Sequence, residues 1–440
     1  MPQPIHPQRG LDALRPYVPG KPIDEVKREY GLDDIVKLAS NENPLGVSPK
    51  AAAAMQAAIH GVNIYPDAAN YALRTAIARH FDLSMEQIAV GNGADDLILQ
   101  LSMAYLEEGD EVLVSRSSFP IYDVYAHAMR AKLVKTPLTE DLRLDLEAMA
   151  DAITDWTKIV YVCNPNNPTG TIVTADAVDR FMDRVPDHVL VVFDEAYFEM
   201  VDCPSFPDAL KYVREGRKNV VVLRTFSKVY GLAGIRLGYA FGCPGTLAPL
   251  FKIKAVFTVN VLAQAAGIAA LDDQEFLQRS VRENAEGRRF YAQEFDRLGL
   301  EHAESHTNFL LVRIGANAAE VQQKLLERGL IVRPCTGYDL PEHLRISIGT
   351  SEQNRRLVAT LDGILYGGET SPQADPLQAA ESAGPDPMPE TRPEPIVKTD
   401  PASGETVDIE GSATEEANPP ERTNAEEDAP TNEPVQQSLF

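Results

Sequence analysis

Short apolar runs recur along the first 260 residues of the chain, and polar or glycine-containing loops follow most of them. The runs lie near 88–90, 111–114, 159–163, 189–193, 220–224 and 238–241. Unbroken apolar runs of this length are typical of parallel strands that are buried on both faces. The runs alternate with helical patterns, of which the segment 51–59, before the first run, is one example. This alternation predicts an α/β fold, with a mostly parallel central sheet and helices on both of its faces.

The pattern changes after residue 260. A long helical stretch over 261–298 leads to a strand-like run at 309–312, a helix near 318–328 and a further strand-like run at 345–348. Fewer strands and longer helices indicate a smaller α+β domain. We therefore predict a large domain over 46–260 and a small C-terminal domain over 261–366.

Composition separates the end of the chain from the rest. The stretch 367–440 contains 17 acidic and 3 basic residues, 12 of the 32 prolines, and Phe440 as its only aromatic residue. Such a segment buries too little apolar surface to offset its ordering entropy, so we expect 367–440 to be a disordered tail. The net charge of −24 for the whole chain argues against nucleic-acid binding.

Other features exclude several classes of protein. No apolar run approaches the roughly 20 residues of a membrane-spanning helix, and the N-terminus lacks the basic and apolar regions of a secretion signal. Cys163, Cys203, Cys243 and Cys335 are far apart and have no metal-binding or redox spacing. We therefore expect a cytoplasmic protein with reduced thiols, no metal site and no membrane association.

The loop after the run at 220–224 contains the first candidate chemistry. It presents Thr225, Ser227 and Lys228, and Arg236 follows eight residues after the lysine. A fixed lysine can form a Schiff base with an aldehyde, and hydroxyls with an arginine can hold a phosphate. Pyridoxal 5′-phosphate (PLP) has both groups. Because a single lysine is most often a solvated surface charge, this interpretation depends on the other groups that PLP needs.

Two further strand-like runs end in residues that suit the same cofactor. Asp194 follows the run at 189–193, at the strand end where open α/β sheets bind ligands. It could keep a pyridine nitrogen protonated, and Tyr197 could reach the phenolic oxygen. Alone, this segment fits a loop acid with a rim tyrosine equally well. The loop 164–170 contains two Asn-Pro steps, which predict a rigid turn that presents Asn167.

The turn at 91–96 joins a short strand to a predicted helix. The free N–H groups and the dipole at that helix N-terminus suit a phosphate. The turn lacks the third glycine of a dinucleotide fingerprint and the Gly-Lys-Ser/Thr of a nucleotide P-loop. Alone, it also fits an ordinary strand–helix connection.

Together these segments resemble the fold-type I PLP-dependent aminotransferases, and within that group the histidinol-phosphate aminotransferases. The resemblance covers about residues 10–366. The matching segments are 40–44, 65–67, 91–95, 164–170, 194–197, 225–228, 234–236 and 344–349. It implies the fold-type I architecture, PLP as the cofactor, and an N-terminal arm over 1–45 that packs with the small domain.

The resemblance also implies a role for each residue around the cofactor. Lys228 matches the Schiff-base lysine and proton shuttle, and Asp194 matches the partner of the pyridine nitrogen. Asn167 and Tyr197 match the pair that binds the cofactor O3′, and Phe119 the aromatic ring stacked on the cofactor. The residues that match the phosphate-binding cup are Ala94, Asp95, Thr225, Ser227 and Arg236.

The implied substrate side involves residues from more distant parts of the chain. Arg345 matches the main anion-binding arginine, and Arg333 and Tyr17 match residues that help to bind the phosphate of histidinol phosphate. Asn41 lies in the segment that closes over the substrate. Tyr65 matches a residue that reaches the phosphate of the neighbouring subunit's cofactor, so the resemblance implies a homodimer with shared active sites.

The implied reaction transfers the amino group of L-histidinol phosphate to 2-oxoglutarate, which gives imidazole acetol phosphate and L-glutamate in histidine biosynthesis. An arginine fork reads phosphate and carboxylate alike. Aromatic amino acid transamination at the same site, and PLP-dependent decarboxylation of an amino acid phosphate, therefore stay open as alternatives.

The last five residues, 436–440, suggest a non-catalytic role for the tail. Gln436-Gln437-Ser438-Leu439-Phe440 resembles the short peptide with which many bacterial proteins dock on the DNA sliding clamp. Five residues are easily matched by chance, so we predict at most weak docking, with a plain C-terminus as the alternative.

Overall fold

The computed structural model of the 440-residue chain describes residues 5–14 and 20–367. Tyr17, the predicted tail after Gly367 and the predicted clamp-binding peptide 436–440 lie outside the described residues.

Seven strands of the described chain form the larger sheet. They are β2 (Ile88–Gly91), β3 (Glu111–Ser115), β4 (Lys132–Thr136), β5 (Thr157–Cys163), β6 (Leu190–Asp194), β7 (Val220–Thr225) and β8 (Gly238–Gly242). Their order across the sheet is β2-β8-β7-β6-β5-β3-β4. Within this sheet β8 runs antiparallel to β2 and β7, and the remaining pairs are parallel. The prediction of a mostly parallel central sheet is therefore confirmed.

The two faces of this sheet take alternate residues of each strand. Val191 and Phe193 of β6 belong to one apolar cluster, and Leu190 and Val192 belong to the other. Every residue of β6 and β7 is buried. Because successive side chains point to opposite faces, the alternation places Asp194 on the Leu190–Val192 face.

β4 was not predicted from the sequence. Its five residues include Lys132, Lys135 and Thr136, so no unbroken apolar run marks it. It lies at the edge of the sheet, where lysines on a strand prevent pairing with another chain.

Four strands form the smaller sheet. They are β1 (Val36–Leu38), β9 (Phe309–Arg313), β10 (Leu330–Pro334) and β11 (His343–Ser347). Their order is β1-β10-β11-β9, and β1 pairs in parallel with β10. A strand from the N-terminal arm thus joins a sheet whose other strands come from the last part of the described chain. The division of the chain at residues 45 and 260 stays a prediction.

Helices lie on both sides of the larger sheet and around the smaller one. They are α1 (Ile23–Tyr30), α2 (Pro49–Ala58), α3 (Tyr71–Phe81), α4 (Ala94–Tyr105), α5 (Ile121–Ala128), α6 (Leu146–Asp151), α7 (Ala175–Arg184), α8 (Leu210–Arg214), α9 (Pro244–Ile253), α10 (Val261–Leu271), α11 (Gln274–Arg297), α12 (Ala318–Leu326) and α13 (Ser351–Tyr366). Within residues 5–14 and 20–367, none of them has the length and apolar character that a bilayer crossing requires.

The predicted helical stretch 261–298 is divided into α10 and α11. Asp273 stands between them, and its Oδ1 accepts a hydrogen bond of 3.4 Å from the backbone N–H of Phe276. An aspartate in this position satisfies a free N–H group of the helix that follows, so it starts a new helix rather than continuing the previous one.

Candidate active site

A cavity of about 360 Å³ lies at the C-terminal ends of β5, β6 and β7. Ligands of open α/β sheets bind at this edge. The cavity wall includes every described candidate residue except Tyr65, namely Asn41, Ala94, Asp95, Phe119, Asn167, Asp194, Tyr197, Thr225, Ser227, Lys228, Arg236, Arg333 and Arg345. Residues from three distant parts of the chain therefore meet around one space.

Asp194 provides a buried carboxylate on the floor of the cavity. It is the last residue of β6 and is 4% exposed. Its Oδ2 accepts a hydrogen bond of 2.6 Å from the hydroxyl of Tyr122, and its Oδ1 accepts one of 3.2 Å from the backbone N–H of Ala196. Burial raises the pKa of Asp194, whereas these two hydrogen bonds and the charge of Lys228 act in the opposite direction.

Lys228 provides an amine at the side of the same cavity. It follows β7 by three residues and is half-buried. Burial, followed by the positive charge of Arg345, lowers the pKa of Lys228 to about 8, although the carboxylate of Glu42 opposes the change. A lysine with a lowered pKa has a larger neutral, nucleophilic fraction near neutral pH.

A corner of the cavity with groups that suit an anion lies where the loop after β7 meets the start of α4. The guanidinium of Arg236 donates hydrogen bonds to the Ser227 hydroxyl at 3.4 Å and to the Ala233 carbonyl at 2.9 Å. Gly93 has a φ of 91°, and a Cβ at that position would lie 2.4 Å from the Nη2 of Arg236. Glycine thus lets the guanidinium lie against the turn that starts α4, whose first residue is Ala94. A helix N-terminus, a hydroxyl and an arginine together suit a phosphate.

Two neighbouring side chains stabilise this corner. The Thr225 hydroxyl accepts a hydrogen bond of 3.1 Å from the backbone N–H of Ser227 and donates one of 3.3 Å to the Leu237 carbonyl. The Asp95 carboxylate accepts a hydrogen bond of 3.0 Å from the Tyr125 hydroxyl. Burial raises the pKa of Asp95.

A second set of groups that suit an anion lies on the smaller sheet. Arg345 of β11 is directly opposite Arg333 of β10 and is 5% exposed. Its Nη1 donates a hydrogen bond of 2.5 Å to the Oδ1 of Asn167, and its Nη2 donates one of 2.8 Å to the Ala39 carbonyl. Like charges directly across two strands are destabilising. Their placement at a cavity wall therefore favours an anionic ligand that both can bind.

Asn41 joins the two sheets at the cavity. It has a φ of 55°, and its Nδ2 donates a hydrogen bond of 2.9 Å to the Tyr197 hydroxyl. The Ser347 hydroxyl donates a hydrogen bond of 2.9 Å to the Oδ1 of Asn41 and accepts one of 2.9 Å from the backbone N–H of Asn41. Tyr197 therefore takes its position from Asn41 as well as from the loop after β6.

Tyr65 does not belong to the cavity wall of its own chain. It is 77% exposed, and its ring is stacked on Phe257 with 4.4 Å between the ring centroids. Its predicted role toward a neighbouring subunit stays a prediction.

Two features beside the cavity were not predicted from the sequence. The first is Tyr122, which was given no role, although its spacing of three residues from Phe119 could have placed it on the same side of a helical turn. The second feature is an ion pair between Arg224 and Glu195, both 1% exposed, with 2.8 Å between Nη2 and Oε2. Each of these two residues is adjacent in sequence to a cavity residue, which was the available signal.

Comparison with known families defines the class of protein. Residues 33–361 match the family described as aminotransferase class I and II. Because the match spans well over half of the chain, this chain belongs to the class I and II aminotransferases.

Individual relatives narrow the group. The chain is 50% identical to the histidinol-phosphate aminotransferase of Akkermansia muciniphila over 351 residues, which are 79% of this chain and 96% of that protein. It is 45% identical to the histidinol-phosphate aminotransferase of Moorella thermoacetica over 353 residues, 80% of this chain and 91% of that protein. Within the class, it thus groups with the histidinol-phosphate aminotransferases, as the sequence motifs predicted.

A solved structure agrees with this grouping. The crystal structure of histidinol-phosphate aminotransferase from Sinorhizobium meliloti in complex with pyridoxal 5′-phosphate matches with a TM-score of 0.74 at 30% sequence identity. The match covers 82% of this chain and 97% of that chain. The predicted fold-type I architecture is confirmed.

Proposed function

We propose that this chain is a PLP-dependent aminotransferase that converts L-histidinol phosphate and 2-oxoglutarate into imidazole acetol phosphate and L-glutamate, a step of histidine biosynthesis. The proposal rests above all on one observation. The amine of Lys228, with its lowered pKa, lines the same cavity as a buried carboxylate and two separate groups of anion-binding side chains.

The donor and acceptor groups of the cavity fit PLP. When bound, PLP supplies an aldehyde that captures an amino group and a ring that takes up electron density from the substrate carbon. Asp194 would hold the ring nitrogen, and the corner formed by Arg236, Ser227 and the start of α4 would hold the phosphate. The Oδ1 of Asn167 accepts a hydrogen bond from Arg345, which fixes the orientation of the amide. The Nδ2 of Asn167 would therefore be the atom that donates a hydrogen bond to the ring oxygen of the cofactor.

We propose that Lys228 carries out the proton transfers. Its Nζ would accept a proton from the substrate carbon that bears the amino group and deliver it to the cofactor side, which requires the neutral amine. The depressed pKa supplies that form near neutral pH. A positioned proton shuttle of this kind contributes roughly 10²–10⁴-fold to the rate.

The paired arginines of the smaller sheet suit both half-reactions. The amino donor presents a phosphate, and the amino acceptor presents carboxylates. A planar guanidinium binds both with two parallel hydrogen bonds. We therefore propose that Arg345 and Arg333 bind the phosphate in one half-reaction and a carboxylate in the other, with Asn41 beside them.

The alternatives are less well supported. The relatives that share 45–50% identity with this chain are named as histidinol-phosphate aminotransferases. Neither an aromatic amino acid aminotransferase nor a decarboxylase of an amino acid phosphate is favoured by any feature of the described cavity.

We also propose a homodimer in the cytoplasm. Val62, Ile64 and Val256 are exposed and are close in sequence to Tyr65 or to Phe257, on which Tyr65 is stacked. Exposed apolar side chains that form a patch favour contact with another protein surface. In a homodimer, Tyr65 would reach the cofactor phosphate of the partner subunit. The four unpaired cysteines suit a reducing compartment. Docking of the peptide 436–440 on a DNA sliding clamp has no support from the relatives and stays a prediction.

Steady-state kinetics test the proposed reaction. With 2-oxoglutarate as the acceptor, kcat/KM should be higher for L-histidinol phosphate than for phenylalanine or tyrosine. A preference for either aromatic amino acid would reject histidinol phosphate as the main donor. Absence of any transamination with a PLP-loaded protein would reject the whole assignment.

A further inference from the structure

Tyr122 makes the shortest hydrogen bond to the buried carboxylate of the site. It is the second residue of α5, is 1% exposed, and its hydroxyl donates to the Oδ2 of Asp194 at 2.6 Å. We propose that Tyr122 is a positioning residue that keeps Asp194 ionised and oriented toward the ring nitrogen of the cofactor. The inference rests on the proposed function, because it assigns that partner to Asp194.

The ring of Tyr122 is held rigidly by aromatic neighbours. It is stacked on Tyr161, with 4.3 Å between centroids and 10° between the ring planes, and it meets the edge of Phe119 at 5.7 Å. Tyr161 lies on β5, next to the strand that ends in Asp194. The hydroxyl therefore has little freedom to turn away from the carboxylate.

Asp194 depends on this hydroxyl for its Oδ2. Among the described residues, its other carboxylate hydrogen bond is the one of 3.2 Å from the Ala196 backbone to Oδ1. A buried carboxylate that loses a donor is left with an unsatisfied charge and is protonated more readily. A protonated Asp194 could no longer balance a protonated ring nitrogen.

A tyrosine suits this task because its hydroxyl stays a neutral donor. Burial, together with the negative charge of Asp194, raises the pKa of Tyr122 well above its usual value. The other titratable groups that influence Asp194 or respond to its charge are Lys228, Asp95, Cys163 and Tyr161. Tyr122 does not line the main cavity, so it acts through Asp194 rather than by touching a ligand.

The test compares Tyr122→Phe with a matched control, Tyr161→Phe. The control removes a hydroxyl that is equally buried but whose hydrogen bond, to Ser102, is 3.5 Å long. The dissociation constant of PLP for the apoprotein is measured by absorbance titration from acid to alkaline pH, together with kcat and KM for L-histidinol phosphate.

Tyr122→Phe should weaken PLP binding by roughly 10- to 100-fold, the range expected for a lost hydrogen bond to a charged group. The loss should be largest at acid pH. Without the hydroxyl the pKa of Asp194 rises, so the carboxylate is protonated at a higher pH than in the wild type. The value of kcat should fall more than KM changes, and Tyr161→Phe should change little. Equal effects of the two variants, or a loss that is uniform across pH, would overturn the proposal.

A double-mutant cycle identifies the route of the effect. In an Asp194→Asn background, Tyr122→Phe should cost little more, because the charge that it supports is already absent. A full additional loss there would mean that the hydroxyl acts elsewhere. Thermal unfolding of each apoprotein shows whether the variant is folded. If Tyr122→Phe does not fold, Tyr122→His replaces it in the test. Because histidine keeps a ring N–H donor, this variant should bind PLP more tightly than one without a donor. Wild-type protein that binds no PLP would reject the proposed function itself, whereas equal binding by wild type and Tyr122→Phe would reject only the role of Tyr122.

Discussion

The two ends of the cavity are built in different ways. At the cofactor end, Asp194, Thr225 and Lys228 end or follow adjacent parallel strands of one buried sheet. At the substrate end, Arg345 belongs to the smaller sheet, and the acceptors of its two shortest hydrogen bonds come from the loop after β5 and from the N-terminal arm. One hydrogen-bonded frame fixes the first end, whereas the second depends on segments far apart in sequence. A change at the first end should therefore remove all activity, whereas a change at the second should weaken the recognition of anionic substrates.

The largest effect is expected for Lys228→Ala. Without the amine, neither the proposed covalent capture of PLP nor the proposed proton transfers can occur, so transamination should be abolished. The visible absorbance of the Schiff base between the protein and PLP should be lost as well. Lys324→Ala is the control, because Lys324 lies on the surface and pairs with Glu320 on the same helix. Retention of the absorbance by Lys228→Ala would contradict the assignment.

Arg345→Gln should have the next largest effect. It removes a buried guanidinium that bonds to Asn167 and Ala39, and kcat/KM should fall by on the order of 100-fold, as expected for lost charged hydrogen bonds. The loss should affect both histidinol phosphate and glutamate, since we propose that one guanidinium binds both anions. Arg313→Gln is a matched control on the neighbouring strand, where its partners Glu301 and Glu342 are exposed. A loss in one half-reaction alone would show that the two anions bind at different places.

Arg333→Ala should sharpen the distinction between substrates. We expect a loss of about 10-fold in kcat/KM for phosphorylated donors, the size of one charged hydrogen bond, and a smaller loss for aromatic amino acids. The two donors are compared in the same assay with 2-oxoglutarate. Equal losses would mean that this side chain does not read phosphate.

The smallest effect is a shift in pH dependence that links the two ends. The rate at which the apoprotein captures PLP should increase with pH, with a midpoint near the pKa of about 8 of Lys228, because the neutral amine reacts. Arg345→Gln should move the midpoint to higher pH, since the positive charge of Arg345 lowers that pKa. Stopped-flow absorbance measures the rate, and an unchanged midpoint would mean that the charge does not act on the lysine.

The contrast between the two ends also explains what the sequence could predict. Lys228 and Asp194 were found because each stands at the end of a buried apolar run, where local sequence determines position. The direct opposition of Arg333 and Arg345 depends on the register of β10 and β11, which no local pattern shows. The hydrogen bond from Tyr122 to Asp194 spans 72 positions of sequence and was likewise not visible.

The same reason accounts for two of the strands that were missed, β1 and β4. The third, β10, was missed although it contains the apolar run Leu330-Ile331-Val332. β1 has three residues, and β4 contains two lysines, so neither forms an apolar run. Both lie at the edge of a sheet, where one side of the strand needs no partner. Partners elsewhere in the fold, rather than their own composition, make these segments strands.

The short strand β1 has a consequence for any shortened version of the protein. It pairs in parallel with β10, and the carbonyl of Ala39, the next residue, accepts a hydrogen bond from the guanidinium of Arg345. A truncation that removed residues up to Ala39 would leave the larger sheet intact. We expect the truncated protein still to bind PLP and to show the visible absorbance of the bound cofactor. Such a protein should bind the cofactor but discriminate poorly between substrates. Arg345, the proposed anion-binding side chain, would have lost the carbonyl that accepts one of its hydrogen bonds.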